Sequence, residues 1–173
     1  KYIKNNSVLE ENDTNRTFLQ FYDFVERMLF FRCLNYNMYL GLEKGSNSIE
    51  EDIIKKGNLK NLEAFLNQAE IICKLKIVKE LDRDRIAFDF GEKSISFYDI
   101  ASTGTNSLVL FYYWLQRIIE KNRVSFLFID EFDAFYHHEL SALIVKELKK
   151  TGVQFILTSH NTNIITNDLL RPD

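Results

Sequence analysis

Phe126-Leu127-Phe128-Ile129-Asp130-Glu131 is the stretch on which the fold turns. It lies at the end of the apolar run Val124–Ile129, which reads as a strand buried on both faces, with two carboxylates where the strand emerges. A helix over His138–Lys150 follows, Gly152 terminates it, and Val153–Leu157 reads as a second buried strand. A strand–helix–strand unit of this kind implies parallel pairing through a right-handed crossover. Ligands of open parallel sheets bind beyond the carboxyl ends of the strands. If the two strands are neighbours, Asp130, Glu131 and the His160 of Thr158-Ser159-His160-Asn161 project at one sheet edge.

Consecutive carboxylates at such a point can divide the work. One can hold a magnesium ion, usually through water, while the next accepts a proton from an attacking water. A solvated acidic turn would read the same way. A histidine at a strand end can contact a phosphate oxygen or orient a water, or serve structure alone. A third element, Ser102-Thr103-Gly104-Thr105, opens a helix predicted from Asn106 to about Lys121. Exposed amides and the helix dipole make such a terminus an anion site. Ser102 adds a hydroxyl, and Gly104 allows close backbone approach, although an ordinary helix cap looks alike.

Outward from these elements, residues 1–16 are polar and read as a loop. Thr17 to about Leu40 carries apolar residues at helical spacing and predicts one long amphipathic helix. Gly41–Ser46 breaks it. Ser48-Ile49-Glu50-Glu51 has the form of a capping box for a helix to Lys56. Gly57 ends that helix, and Asn58 is expected to cap another through Ala69. From Ile71 the period becomes two. Ile71–Val78, Arg85–Phe90 and Lys93–Tyr98 predict an antiparallel meander, with Asp82-Arg83-Asp84 and Gly91-Glu92 as turns.

Composition narrows the class. The 173 residues are 46% hydrophobic, too apolar for a disordered chain and sufficient for one folded core. A membrane span needs about 18 unbroken apolar residues, and the longest run is Leu108–Leu115. No signal-peptide pattern opens the sequence. Cys33 and Cys73 lie far apart, which fits a reducing cytoplasm and no zinc site. The net charge of −3 gives no support to a chain-wide nucleic-acid surface. Lys1 and Asp173 read as cut edges rather than natural termini. His137 and His138 resemble a metal pair only superficially. Tyr112, Tyr113 and Trp114 could stack bases but read better as core. Lys55, Lys56 and Lys60, and Lys146, Lys149 and Lys150, read as solvated helix faces, with DNA contact left open for the first group.

Taken together, the three elements resemble the second half of an ABC-type ATPase. Ala101–Thr105 matches the signature motif, Phe126–Glu131 the Walker B motif with its glutamate, and Ser159-His160 the switch-histidine loop. Asp133–Glu139 stands where that family has its D-loop. Membrane transporters usually read Asp-Glu-Pro after the Walker B strand and end the signature in Gln; here Phe132 and Thr105 stand instead. Asp-Glu-Phe-Asp with Ser-x-Gly-Thr is closer to the soluble SMC-like and OLD-like ATPases, especially the AAA-type ATPases of prokaryotic defence systems (RloC- or PtuA-like). The closing Asn167-Asp168-Leu169-Leu170-Arg171-Pro172-Asp173 resembles that group too.

The resemblance implies an α/β fold: a partial P-loop NTPase domain with a parallel sheet core, an antiparallel meander and a helical arm. It divides the chain into a helical arm or insert over 1–70 and the second half of the ATPase core over 71–173. It implies ATP and Mg²⁺, with Asp130 holding the ion through water, Glu131 polarising the attacking water, and His160 and Ser159 at the γ-phosphate. Ser102, Thr103, Gly104 and Thr105 would bind nucleotide held by the other protomer of a head-to-tail dimer, and Asp133 would link the two sites. The partner implied is a second ATPase subunit, with a nuclease or other effector beside it; nucleic acid stays open as a target, and no membrane is implied. The phosphate-binding GxxxxGK[ST] of such enzymes does not occur in these 173 residues. Gly41-Leu42-Glu43-Lys44-Gly45-Ser46 has its ingredients in the wrong order and reads as a loop. A non-catalytic scaffold with the same fold is the alternative.

Overall fold

The computed structural model describes residues 10–32, 38–41, 48–119, 124–134 and 136–164. Cys33, Gly45, Lys121 and the Asn167–Asp173 segment lie outside these, as do residues 1–9 of the polar opening.

Strand β6 (Phe126–Asp130) is flanked on both sides by parallel strands, β1 (Met28–Arg32) and β7 (Gln154–Leu157). Strand β2 (Met38–Gly41) pairs antiparallel with β1, giving the order β2-β1-β6-β7. Side chains alternate across a strand, and the register therefore sorts them into two faces. Leu29, Phe31, Leu127 and Ile129 are buried on one face, where Phe31 meets Trp114 edge-on at 5.9 Å. Phe30, Phe128 and Ile156 fall on the other, with Phe30 and Ile156 38% and 50% exposed. One face of the sheet is thus buried at β1 and β6 and partly buried at β7 among the described residues, and β7 carries no buried residue. The expectation of a strand buried on both faces is corrected to that extent.

The covered face packs against helix α5 (Thr103–Ile119) and helix α6 (His138–Thr151), which carries the crossover from β6 to β7. Burying a side chain such as Leu108, Trp114, Ile144 or Leu148 stabilises by about 1.5–3 kcal/mol. Tyr112 and Trp114 are core, and the Arg117 guanidinium lies 3.7 Å over the Tyr113 ring while binding Asp52 at 3.0 Å. Lys56, Lys60 and Lys150 pair with acids on their own helices.

The long helix expected over Thr17–Leu40 does not form. Helix α1 (Asp13–Glu26) starts at its Asn12 cap, inside the segment read as loop, and the chain then becomes β1 and β2. A short apolar run such as Met28-Leu29-Phe30-Phe31 reads equally as helix or strand by periodicity. The open edge of β6 decides it. Ser125 fixes the junction, its N–H donating to the Arg27 carbonyl and its hydroxyl to that of Phe24. Helix α1 itself has no buried residue.

Helices α2 (Ile49–Lys55) and α3 (Leu59–Gln68) follow. The Ser48 hydroxyl accepts the Glu51 N–H as a cap should, whereas Asn58 makes no side-chain cap, a correction to its expected role. The meander is β3 (Leu75–Glu80), β4 (Arg83–Asp89) and β5 (Ser94–Ser96). Its first turn is tighter than expected: Leu81 and Asp82 alone form it, both at positive φ, as a two-residue hairpin of this type requires. The third strand stops at Ser96 because Phe97 turns inward to begin α4 (Phe97–Ile100) and stacks on Phe88 at 4.8 Å.

Glu50 locks the meander to α2. Its carboxylate, 3% exposed, accepts the Ile86 N–H at 2.6 Å and the Arg85 guanidinium at 2.7 Å. Glu50→Ala leaves a buried amide without a partner, which costs about 1–3 kcal/mol. Urea denaturation should show a correspondingly lower midpoint; an unchanged midpoint would mean that Glu50 does not hold the meander to α2.

Candidate functional site

The site is built where β6 and β7 end side by side. The last ladder pair is Ile129 with Leu157. One residue further, the Thr158 N–H donates to the Ile129 carbonyl at 3.0 Å, and the Phe132 N–H donates to the Thr158 carbonyl at 3.1 Å. Between these, Asp130 ends β6, still paired with Arg32 of β1, and Glu131 leaves the sheet. Alternation places Asp130 with Phe126 and Phe128, on the less covered face.

Glu131 has φ +49°, the left-handed region that residues with a Cβ avoid. That conformation costs about 1–2 kcal/mol and turns the chain sharply out of the strand. Its N–H donates to the Thr158 hydroxyl at 2.7 Å, and its carboxylate meets His160 Nε2 at 3.0 Å. The Thr158 hydroxyl donates in turn to Asp130 Oδ1 at 2.8 Å. Ser159 donates to Asp133 Oδ2 at 2.7 Å. Each of the three carboxylates at or just beyond the end of β6 thus has one partner in the loop beyond β7. Phe132 and Ile164, 2% and 1% exposed, root the two loops in the core.

The expected constellation of Asp130, Glu131, Asp133, Ser159 and His160 is therefore brought together. Glu131 is partly buried, and His160 projects into solvent. Asp130 Oδ2 makes no hydrogen bond or ion pair with the described residues. The open oxygen is one ligand of the kind a hard cation such as Mg²⁺ takes, with water completing its shell.

Ser102, Thr103, Gly104 and Thr105 lie elsewhere, in the first turn of α5 and at its cap. The Ser102 hydroxyl accepts the Thr105 N–H at 3.1 Å and lies 2.9 Å from the Thr105 hydroxyl. Ser102 and Thr103 are exposed, and Thr105 is buried. No hydrogen bond or ion pair among the described residues joins this turn to the Asp130 group. His137 Nδ1 accepts the Leu140 N–H and so caps α6. The neighbouring Glu139 carboxyl is held below its ordinary value by its own backbone N–H, with His137 and His138 adding to the effect.

Two residues gain importance that their letters did not announce. Thr158 touches Ile129, Asp130, Glu131 and Phe132; its only signal was a hydroxyl at the end of a buried strand. Phe132 supplies both a buried ring and an N–H to Thr158, and a proline there could not donate it.

Residues 40–166 match the sequence profile of a family described as "AAA domain, putative AbiEii toxin, Type IV TA system". The chain belongs to this AAA domain family. The family is one of P-loop ATPase domains, which bind nucleotide and generally use ATP with Mg²⁺. The mixed α/β fold with three parallel strands agrees with it. No protein of curated function matches the sequence. No helix among the described residues is long and apolar enough to cross a membrane.

The strain at Glu131 has a measurable signature. Glu131→Gly relieves the left-handed penalty and gives up only a solvent-exposed hydrogen bond. The variant should be more stable than the parent by up to about 1 kcal/mol, net of glycine's added unfolded-state entropy. Chemical denaturation measures it, and a clear loss of stability would contradict the strain.

Proposed function

We propose that this AAA domain hydrolyses ATP as the second half of an ABC-like nucleotide site, in a head-to-tail dimer that switches an effector in anti-phage defence. The observation that carries this reading is the convergence of Asp130, Glu131 and His160 at the carboxyl edge of two neighbouring parallel strands. We also propose a division near residue 70, with the 1–70 region contributing β1 and β2 to the sheet besides its helices.

In this reading Asp130 would hold Mg²⁺ through water, and the ion would supply charge neutralisation at the phosphate oxygens. Glu131 accepts the proton of the attacking water, and His160, hydrogen-bonded to Glu131, stands beside the transferred phosphate. Ser102 and its turn present exposed groups and a helix N-terminus to the γ-phosphate held by the partner protomer. Asp133, tied to Ser159, couples the two sites. ATP then closes the dimer because it makes contacts available only in the closed state.

This reading requires that the full protein supply the phosphate-binding loop, since GxxxxGK[ST] does not occur in these 173 residues. The exposed Phe30 and Ile156 and the unpaired outer edge of β7 among the described residues support that view, since parallel sheets are normally covered on both faces. A nuclease is the effector that suits a defence role, with nucleic acid as one target class and the cytoplasm as its place. The second reading is a scaffold subunit that keeps the fold without turnover; the missing GxxxxGK[ST] favours it.

Glu131→Gln, in the full protein, should keep ATP binding, slow hydrolysis about a hundredfold or more, and trap the dimer. Unchanged turnover would end the assignment of Glu131 as base. Ser102→Arg should leave ATP bound to a monomer and block ATP-induced dimerisation, as followed by light scattering. A variant that still dimerises with ATP would refute the contact across the interface.

A further inference from the structure

We propose that Thr158 is the positioning residue for both carboxylates of the site, acting through a one-way hydroxyl relay. The proposal rests on the ATPase reading for its catalytic consequence, but not for its geometry. A threonine hydroxyl has one proton to donate and two lone pairs to accept with. Both of its neighbours are restrictive. The Glu131 N–H can only donate, and an ionised Asp130 can only accept. The order of the chain is thereby fixed: Glu131 N–H to Thr158 Oγ1 at 2.7 Å, then Thr158 O–H to Asp130 Oδ1 at 2.8 Å.

Each bond has its own effect. The bond to Asp130 engages Oδ1 and leaves Oδ2 as the oxygen open to a ligand. The bond from Glu131 holds that residue at φ +49°, the conformation in which its carboxylate reaches His160 at 3.0 Å. Thr158 is well placed to impose both. Its own N–H and carbonyl are committed to Ile129 and Phe132, so its backbone is fixed on either side of the turn it braces. A β-branched side chain has few χ1 options, which keeps the hydroxyl aimed between its two partners.

Two substitutions separate hydroxyl from shape. Thr158→Val keeps the branched form and removes both hydrogen bonds; Thr158→Ser keeps the hydroxyl and gives up a methyl group. The first readout needs no nucleotide: the ¹H–¹⁵N shift of the Glu131 amide. It should stay downfield in the parent and in Thr158→Ser, and move upfield in Thr158→Val. The second is the Mg²⁺ dependence of ATP turnover in the full protein. Thr158→Val should raise the Mg²⁺ needed for half-maximal rate and lower kcat, by roughly ten- to a hundredfold combined. KM for ATP should stay within about twofold, because the phosphate-binding loop lies elsewhere. Thr158→Ser should restore most of the loss.

An unchanged amide shift in Thr158→Val overturns the relay. So does an equal loss in the Val and Ser variants, which marks packing instead. A parent protein without ATP turnover removes the ATPase reading, while the amide shift still decides the relay. Should Thr158→Val fail to fold by circular dichroism, Thr158→Cys takes its place with the same expectations, its S–H being a weak donor.

Discussion

The in-register parallel pairing of Phe126–Asp130 with Gln154–Leu157 is the constraint on which the rest depends. It brings two strand ends level, so that Thr158 arrives opposite the turn at Asp130 and Glu131 rather than a residue early or late. A slip of one residue would reverse every side chain. Asp130 would then face the core beside Trp114, and Ile129 would face the open side. The hydrophobic row of Leu29, Leu127 and Phe155, backed by α5 and α6, makes that slip costly. Core packing thus sets the position of the charges.

The charges are then arranged to coexist. Asp130, Glu131 and Asp133 lie within four residues, and repulsion among them has to be offset. Thr158, His160 and Ser159 do this in a staggered sequence of hydrogen bonds that ties one loop to the other. The left-handed backbone at Glu131 is part of the arrangement. Such strain persists only where the surroundings over-determine it. Here the surroundings are a buried Phe132 on one side and the Thr158 clamp on the other.

The two faces of the sheet are unequal. One is sealed by long helices, while Phe30, Phe128 and Ile156 form a partly open aromatic and aliphatic row on the other, with the Phe30 and Phe128 rings 5.9 Å apart. Asp130 belongs to that open side. In the turn of Ser102 and Gly104, the Ser102 hydroxyl caps α5 by accepting the Thr105 N–H.

The sequence by itself determined the β6–α6–β7 unit, because an apolar run, a helical period and a second apolar run leave few topologies. Asp130, Glu131 and His160 could be grouped on that basis alone. The antiparallel meander was legible from its period of two. Its first turn was placed one residue late, since the left-handed backbone of Leu81 and Asp82 has no glycine to announce it. Tertiary structure alone decided the fate of Met28–Arg32, a short apolar run that periodicity leaves between helix and strand and that pairing with Phe126–Asp130 makes a strand. It alone decided the role of Thr158 as well. A hydroxyl has no fixed direction in sequence, and acquires one only when a donor and an acceptor are held on either side of it.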